Sequence, residues 1–541
     1  MRVSAPQLPL LRPRERRAPG ASRSANGGRA ASRGAARSHG VQMAWILAGC
    51  LAVSALTLLF PSTPTYDPWA WIMWGREITH LDLVTEGGPS WKPLPILFTT
   101  PFSLLGHDLA PYLWLWVARA GGLLGCVMAY RMANRLIGGG IYGTLAGVSA
   151  FLALFASNKY VRDAALGNSE PMLAAVFLWG FERHLDGRRD HALYLGFAAA
   201  LLRPEVWPFL ALYGLWLWFA EPRLRLRMIG LAALIPALWF LPEWWGADDP
   251  FRAGSRANAP NPGSAAFAQS PAVELFKRFA ESTIAPVEAG TLVATCLAAY
   301  MWIRRRAQGA VLALAVFGFS WFALVAAMTE AGFAGNQRYL MVTTAAVSVL
   351  GGVGVVRLLQ GVELLGRRWL GTPRAGHAAA TAAFFAGIAI ASPTIVAKAD
   401  NTARVQGGLD HEAFLWHDLK SLIDANGGPE RLLACGGVFS GPFQTQMVAY
   451  ELGVHGINVG WKETPPPGVV FRTRTVPDGP LVTKPTDDRY RLVDQDGKWR
   501  LLTVPPEGEN RDVCPSAGPN VPKAPPGPAL GERPVKVIGQ D

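Results

Sequence analysis

A handful of polar residues punctuate apolar stretches of this chain, at places where a charge costs free energy unless it serves a site. Asp67 lies in Tyr66-Asp67-Pro68-Trp69, a few residues past the first long apolar run. Its carboxylate could take a proton from a hydroxyl at a membrane surface; it could equally cap the helix that starts there. Glu170, in Gly167-Asn168-Ser169-Glu170-Pro171-Met172, has the same two readings, since an acid in a first helical turn suits the helix dipole in any case. Lys92, Arg162, Arg203 and Arg338 are cations beside apolar sequence, with Glu205 two residues from Arg203 and Tyr339 directly after Arg338. Such cations suit a lipid phosphate, or they snorkel from a helix end to the membrane interface. His80 and His107 have no partner at ligand spacing and read as polar loop residues. The chain has no P-loop, GxSxG, HExxH or paired CxxC motif, and Gly138-Gly139-Gly140 reads as a turn rather than a dinucleotide loop.

The elements that must position these residues are membrane spans. Of 541 residues, 50% are hydrophobic and 17% charged, against roughly 25% charged in ordinary soluble proteins. Apolar runs near the roughly 20 residues that a spanning helix needs recur at 43–61, 110–133, 140–157, 170–183, 191–202, 205–220, 226–243, 286–303, 309–328, 339–357 and 378–396, so about eleven transmembrane helices are expected. Basic residues test that count. They gather in the N-terminal tail and in 131–135, 183–189, 223–227, 304–306 and 357–374, which marks these connections as cytoplasmic. The segments 62–109, 158–169, 244–285, 329–338 and everything after about 397 fall outside. Residues 191–220 read either as one long tilted helix or as two short helices broken at Arg203-Pro204-Glu205, and cytoplasmic flanks on both sides favour the hairpin.

The formal net charge of +12 would suggest nucleic acid in a soluble protein, but nine Arg and a single acid, Glu15, crowd the first forty residues. Residues 1–40 therefore read as a disordered, basic cytoplasmic tail, and no nucleic-acid partner is expected. No small-residue cleavage site follows Phe60, so the first apolar segment is expected to remain as an anchor. A multi-spanning domain over 41–397 follows. Its loop 62–109 carries two stretches, 66–82 and 93–106, that read as helices lying in the membrane interface, because Trp71, Trp74 and Ile78 recur at helical spacing. Residues 398–515 change character. A helix over 410–426 and strands over 431–437, 468–472 and 498–503 predict a small extracytoplasmic α/β domain, followed by a Pro-rich disordered tail over 516–541. Cys435 and Cys514 are the only cysteines of five outside the apolar runs, and an oxidising compartment would let them pair.

Together these residues resemble the GT-C superfamily of membrane glycosyltransferases, with the look of RgtA-like and actinobacterial arabinofuranosyltransferase- or mannosyltransferase-like proteins. The family's early outer-loop acid is matched by Asp67, and its following helix by Lys92-Pro93-Leu94-Pro95 through Leu105-Gly106. Its Ala-Arg pair is matched by Ala118-Arg119, its second acid by Glu170, and its late Arg-Tyr pair by Arg338-Tyr339. The resemblance extends over about residues 41–400 and implies a polytopic α-helical GT-C-like fold in the plasma membrane. It also implies transfer of a sugar, with inversion, from a polyprenyl-phosphate carrier to an envelope glycan, lipid or protein on the outer face. Asp67 would be the general base and Glu170 a second catalytic acid. Lys92, Arg162, Arg203, Glu205, Arg338 and Tyr339 would bind substrate. Asp67 is followed by Pro68 where several families have a paired Asp-Glu, so a base is favoured over a metal ligand; no cofactor is required, and a divalent cation is compatible with the chemistry. A lipid-linked-sugar transporter or flippase, or a non-catalytic scaffold for envelope assembly, is the rival reading. Transporters show internal repeats and polar residues near the midplane, whereas this chain concentrates its polar residues at one face.

Overall fold

The computed structural model describes residues 25–261, 263–462, 465–508 and 513–516. Helices follow in the order α1 (Ala25–Thr57), α2 (Tyr66–Thr79), α3 (Pro93–Ser103), α4 (Leu109–Ile137), α5 (Gly140–Phe155), α6 (Asn158–Ala165), α7 (Glu170–Leu185), α8 (Arg189–Ala200) and α9 (Trp207–Ala220). Then come α10 (Arg225–Ala247), α11 (Arg252–Ala257), α12 (Pro271–Ser282), α13 (Ala285–Arg305), α14 (Gly309–Glu330), α15 (Met341–Leu370), α16 (Pro373–Ala425), α17 (Gly428–Leu433) and α18 (Thr445–Glu451). The chain divides into two compact units within α1, the first ending at Gly49 and the second beginning at Cys50. Over its described residues the first unit is helical from Ala25, so residues 25–40, expected to be disordered, belong to α1. The rest of the basic tail and all but the first residue of the expected 516–541 tail lie outside the described residues.

All eleven predicted spans are helical. Among the described residues, seven segments are long and apolar enough to cross a membrane: His39–Thr57, Leu109–Ile137, Pro222–Ala247, Ala285–Arg305, Gly309–Glu330, Gln337–Leu370 and Pro373–Ala425. Helices α5 and α6, bent by 67°, make an eighth if taken together. The other three predicted spans are shorter helices, α7 with 16 residues, α8 with 12 and α9 with 14. Residues 191–220 are broken at the predicted place, by a 3-10 turn over Pro204–Val206 between α8 and α9.

Helix α2 departs from expectation. It does not lie on a surface: Trp69, Trp71, Ile72, Met73 and Trp74 are all buried. One side packs on α3, where Thr99 donates to the Trp71 carbonyl at 2.7 Å. Gly75 permits that approach, since a Cβ there would stand 2.7 Å from the Thr99 carbonyl carbon. The other side is covered by the C-terminal region. Trp69 meets Trp416 and Tyr450 at ring-centroid distances of 5.0 and 5.1 Å, and Arg76 donates to the carbonyls of Tyr450 and Val454.

That region is the expected small α/β unit. Its strands are β1 (Gly437–Ser440), β2 (Val459–Gly460), β3 (Gly468–Arg474), β4 (Leu481–Val482), β5 (Arg491–Asp496) and β6 (Trp499–Val504). They form one sheet in the order β2-β1-β3-β6-β5, with β4 beside β3; β1 runs parallel to β2 and β3, and the other pairings are antiparallel. One sheet face buries Val469, Phe471, Trp499 and Leu501 against Leu415, Leu419 and Leu422 of α16. The Trp499 indole N–H donates to the Leu415 carbonyl at 2.7 Å. The strand expected over 431–437 begins only at Gly437: residues 431–433 end the helix α17 and 434–436 turn, because Gly427-Gly428-Pro429-Glu430 is a helix start in which Pro429 presets φ and Glu430 suits the dipole. Cys435 and Cys514 are joined by a disulfide with their Cα atoms 4.9 Å apart.

Candidate active site

Charged residues arrive at one place because they sit where helices begin. Four of them, Asp67, Lys92, Glu170 and Arg203, directly precede a proline. Proline is tolerated in a first turn, and it pushes the residue before it toward extended backbone. Lys92 (φ −141°, ψ 110°) and Arg203 (φ −151°, ψ 135°) show that effect. Asp67 and Glu170 occupy the first turns of α2 and α7. Arg338 and Tyr339 lie in the 3-10 turn Gln337–Leu340 that leads into α15.

Glu170 is the hub. Fully buried, its Oε1 accepts from Lys92 Nζ and from Arg203 Nη1, both at 2.7 Å. Lys92 also donates to Ser169 Oγ at 2.9 Å and lies 5.0 Å from the Trp71 ring. Arg203 forks onto Glu205 at 2.5 and 3.0 Å and stacks 3.9 Å over the Tyr339 ring. Arg338 sits beside the same ring, pairs with Asp67 Oδ2 at 2.9 Å and donates to Asn168 Oδ1 at 3.3 Å. Three cations thus face three carboxylates, which offsets the cost of burying either sign alone. Burial pushes the Lys92 ammonium below its ordinary range against the opposing pull of Glu170. Burial also works against the Arg203 charge, but Glu205 and Glu170 outweigh it and hold that guanidinium above its ordinary value.

The ensemble has unspent polar capacity. Glu170 Oε2 and Arg338 Nε are buried without a hydrogen-bond partner. A site at which every group satisfied another could bind nothing charged; here one guanidinium N–H and one carboxylate oxygen remain available.

Seven of the predicted site residues, Asp67, Lys92, Glu170, Arg203, Glu205, Arg338 and Tyr339, therefore meet in one cluster. Arg162 is placed elsewhere: it pairs with Glu412 of α16 at 2.5 Å, tying α6 to the helix that carries the sheet. Asn168 and Asp163 were not foreseen. Asn168 links Arg338 to Asp163, which is buried and also 3.7 Å from Lys159. The signal for Asn168 was its place in the Glu170 motif. Arg119, part of the Ala-Arg pair, instead clamps the backbone at Ala165 and Thr57 together with Ser62 Oγ. His80 and His107 stay outside the cluster; His107 stacks on Tyr450 at 4.2 Å. Among the described residues, no group of three or more His, Cys, Asp and Glu is disposed to hold a metal ion.

A cleft opens between the first loop and the C-terminal unit, reaching Tyr66, the residue before Asp67. It is lined among others by Tyr66, Trp69, Arg162, Glu412, Gln444 and Met447.

No protein-family model and no curated protein matches the chain. Among solved structures, ArnT from Cupriavidus metallidurans, crystallised bound to undecaprenyl phosphate, is similar in fold. The TM-score is 0.51 at 15% sequence identity, over 85% of this chain and 97% of that one. The fold is accordingly like that of ArnT: a polytopic helical membrane domain, here ending in a small α/β unit.

Proposed function

We propose that this chain is a membrane glycosyltransferase that takes a sugar from a polyprenyl-phosphate carrier and passes it to a hydroxyl of a cell-envelope acceptor. The observation that carries the reading is the gathering of Asp67, Lys92, Glu170, Arg203, Glu205, Arg338 and Tyr339 around one point on a GT-C-like fold. Displacement from a lipid phosphate leaves a phosphate anion, so the departing group needs positive charge more than it needs an acid. Lys92, Arg203 and Arg338 supply that charge, with Glu170 and Glu205 holding Lys92 and Arg203 in place.

Asp67 takes the proton of the acceptor hydroxyl as its oxygen bonds to the anomeric carbon. The bond from that carbon to the phosphate oxygen breaks, its electron pair leaves with the carrier phosphate, and the configuration inverts. In the structure Arg338 occupies the Asp67 carboxylate. A phosphate arriving beside Arg338 competes for the guanidinium and frees Asp67 to act as base, which couples donor binding to acceptor activation. The acceptor enters by the cleft at Tyr66 and Gln444. The site faces outside: basic connections mark the opposite ends of the spans as cytoplasmic, and a disulfide between Cys435 and Cys514 persists in an oxidising compartment.

Asp67→Asn and Asp67→Ala, expressed in a host lacking the native protein, test the role. Loss of the envelope glycan with accumulation of the lipid-linked sugar, read by mass spectrometry, is expected for both. Normal glycans with both variants, alongside a defect in the deletion strain, remove Asp67 as the base.

A further inference from the structure

The C-terminal sheet carries a pair of like charges, one buried and one half-buried, on the face turned away from α16. Along β3, Val469 and Phe471 point into the core shared with α16, so Val470 and Arg472 point the other way. Across the antiparallel pairing, Arg472 stands directly opposite Arg500 of β6, with Gln495 of β5 next in the row. Cross-strand partners share a face and lie close enough to interact, and like charges so placed repel. Arg472 is 3% exposed. Its Nε and Nη2 are buried with no hydrogen-bond partner, and so is Nη1 of the half-buried Arg500. Arg500 Nε donates to the neutral Gln495 amide at 3.2 Å. Among the described residues no carboxylate is hydrogen-bonded or ion-paired to either guanidinium; burial, with the Arg500 guanidinium adding to it, pushes Arg472 below the usual arginine range. The residues around the pair, Phe439, Val470, Tyr490 and Leu502, form an apolar patch that strengthens any charge interaction within it.

A buried, unpaired guanidinium is costly, and a second, half-buried one beside it adds to the cost, unless an anion completes the set. We propose that Arg472 and Arg500 form a phosphate-binding site in the C-terminal unit. Two fixed positive charges match the dianion of a phosphate monoester better than the single charge of a carboxylate, and the planar fork of arginine suits two oxygens of one group. Arg474, on the same face one step along β3, uses its guanidinium on the Gly479 carbonyl and lies at the edge of the site. This site does not depend on the transfer reaction proposed above; it would hold a phosphate-bearing ligand whether or not Asp67 is a base.

The test is calorimetric titration of the full-length protein in detergent with inorganic phosphate, with a hexose 6-phosphate and with acetate. Saturable binding of phosphate is expected, weakened at least about tenfold in Arg500→Gln and in Arg472→Met, with acetate weaker by a similar factor. Binding of the hexose 6-phosphate as well assigns the site to a phosphorylated glycan or similar ligand, and binding of inorganic phosphate alone assigns it to the free ion. Arg500 is half-exposed, so Arg500→Gln remains informative should Arg472→Met fail to fold. No phosphate binding, binding undiminished in Arg500→Gln, or acetate as tight as phosphate overturns the proposal.

Discussion

At the residue scale the decisive arrangement is one carboxylate shared by two cations. Glu170 Oε1 accepts from both Lys92 and Arg203 at full burial, so Glu170→Gln would leave two buried charges facing a neutral amide. Removing one partner of a buried pair costs about 3–5 kcal/mol. Thermal unfolding in detergent should therefore show Glu170→Gln and Lys92→Met each strongly destabilised and the double variant less so than the sum; strict additivity would mean that the two do not interact. These residues were legible in the sequence for a local reason. A charge placed directly before proline at the mouth of a helix, as at Asp67, Lys92, Glu170 and Arg203, is read from a few neighbouring residues. The partner of Arg162 was not legible. Glu412 lies 250 residues away on α16, and nothing near either residue signals the other. Asn168 and Asp163 escaped notice because an uncharged amide and an acid in a short polar segment look like ordinary turn residues.

The element that most changes meaning between sequence and structure is α2. Its Trp71, Trp74 and Ile78 spacing reads as an apolar stripe against the membrane interface. The existence and extent of the helix were legible, but its surroundings were not, because the surface that covers it comes from residues more than 340 positions later. Arg76 and Glu77 turn out to be the latch for that cover. Glu77 accepts from the Val84 N–H at 3.0 Å and meets His455 at 2.8 Å, while the same ring reaches Asp82 at 3.2 Å. Burial pushes the Glu77 carboxyl up, against the lowering pull of the Val84 and His455 hydrogen bonds and the nearby charges. Since its folded pKa lies above the unfolded value, the folded state holds that proton more tightly. The associated stability is complete below the unfolded pKa and is lost as pH rises through the folded one. Limited proteolysis of the C-terminal unit should then show docking weakening as pH rises across the mildly acidic range, with the slope flattened in Glu77→Gln. An unchanged slope in that variant would assign the titration to another group.

For the whole molecule, the alternation of apolar runs with basic punctuation was enough to locate a helix at each of the eleven predicted spans, since hydrocarbon solvation and inside charge act on short windows of sequence; the short helices α6, α11 and α12, in segments read as outer connections, were not legible that way. Span length was less legible. Helix α7 starts at Glu170, and α8 and α9 flank Arg203 and Glu205, so these helices end at the polar cluster. Sixteen residues of helix rise only about 24 Å, short of a hydrocarbon layer of about 30 Å. Short helices around a polar cluster are what a recess reaching into the membrane requires, because irregular backbone is tolerated at that depth only where it lines protein or a cavity. The orientation of that recess is the last open term, and a single-cysteine scan on a background without the native cysteines decides it. Glu86→Cys, Ala259→Cys and Asp478→Cys are exposed positions on the first loop, the loop after α11 and the C-terminal sheet, while Arg188→Cys and Arg305→Cys sit on exposed basic connections. A membrane-impermeant thiol reagent added to whole cells should label the first three and spare the last two. Protection at 478 together with labelling at 188 would invert the protein, move the cluster to the cytoplasmic side, and leave an outer-face sugar transfer without a site.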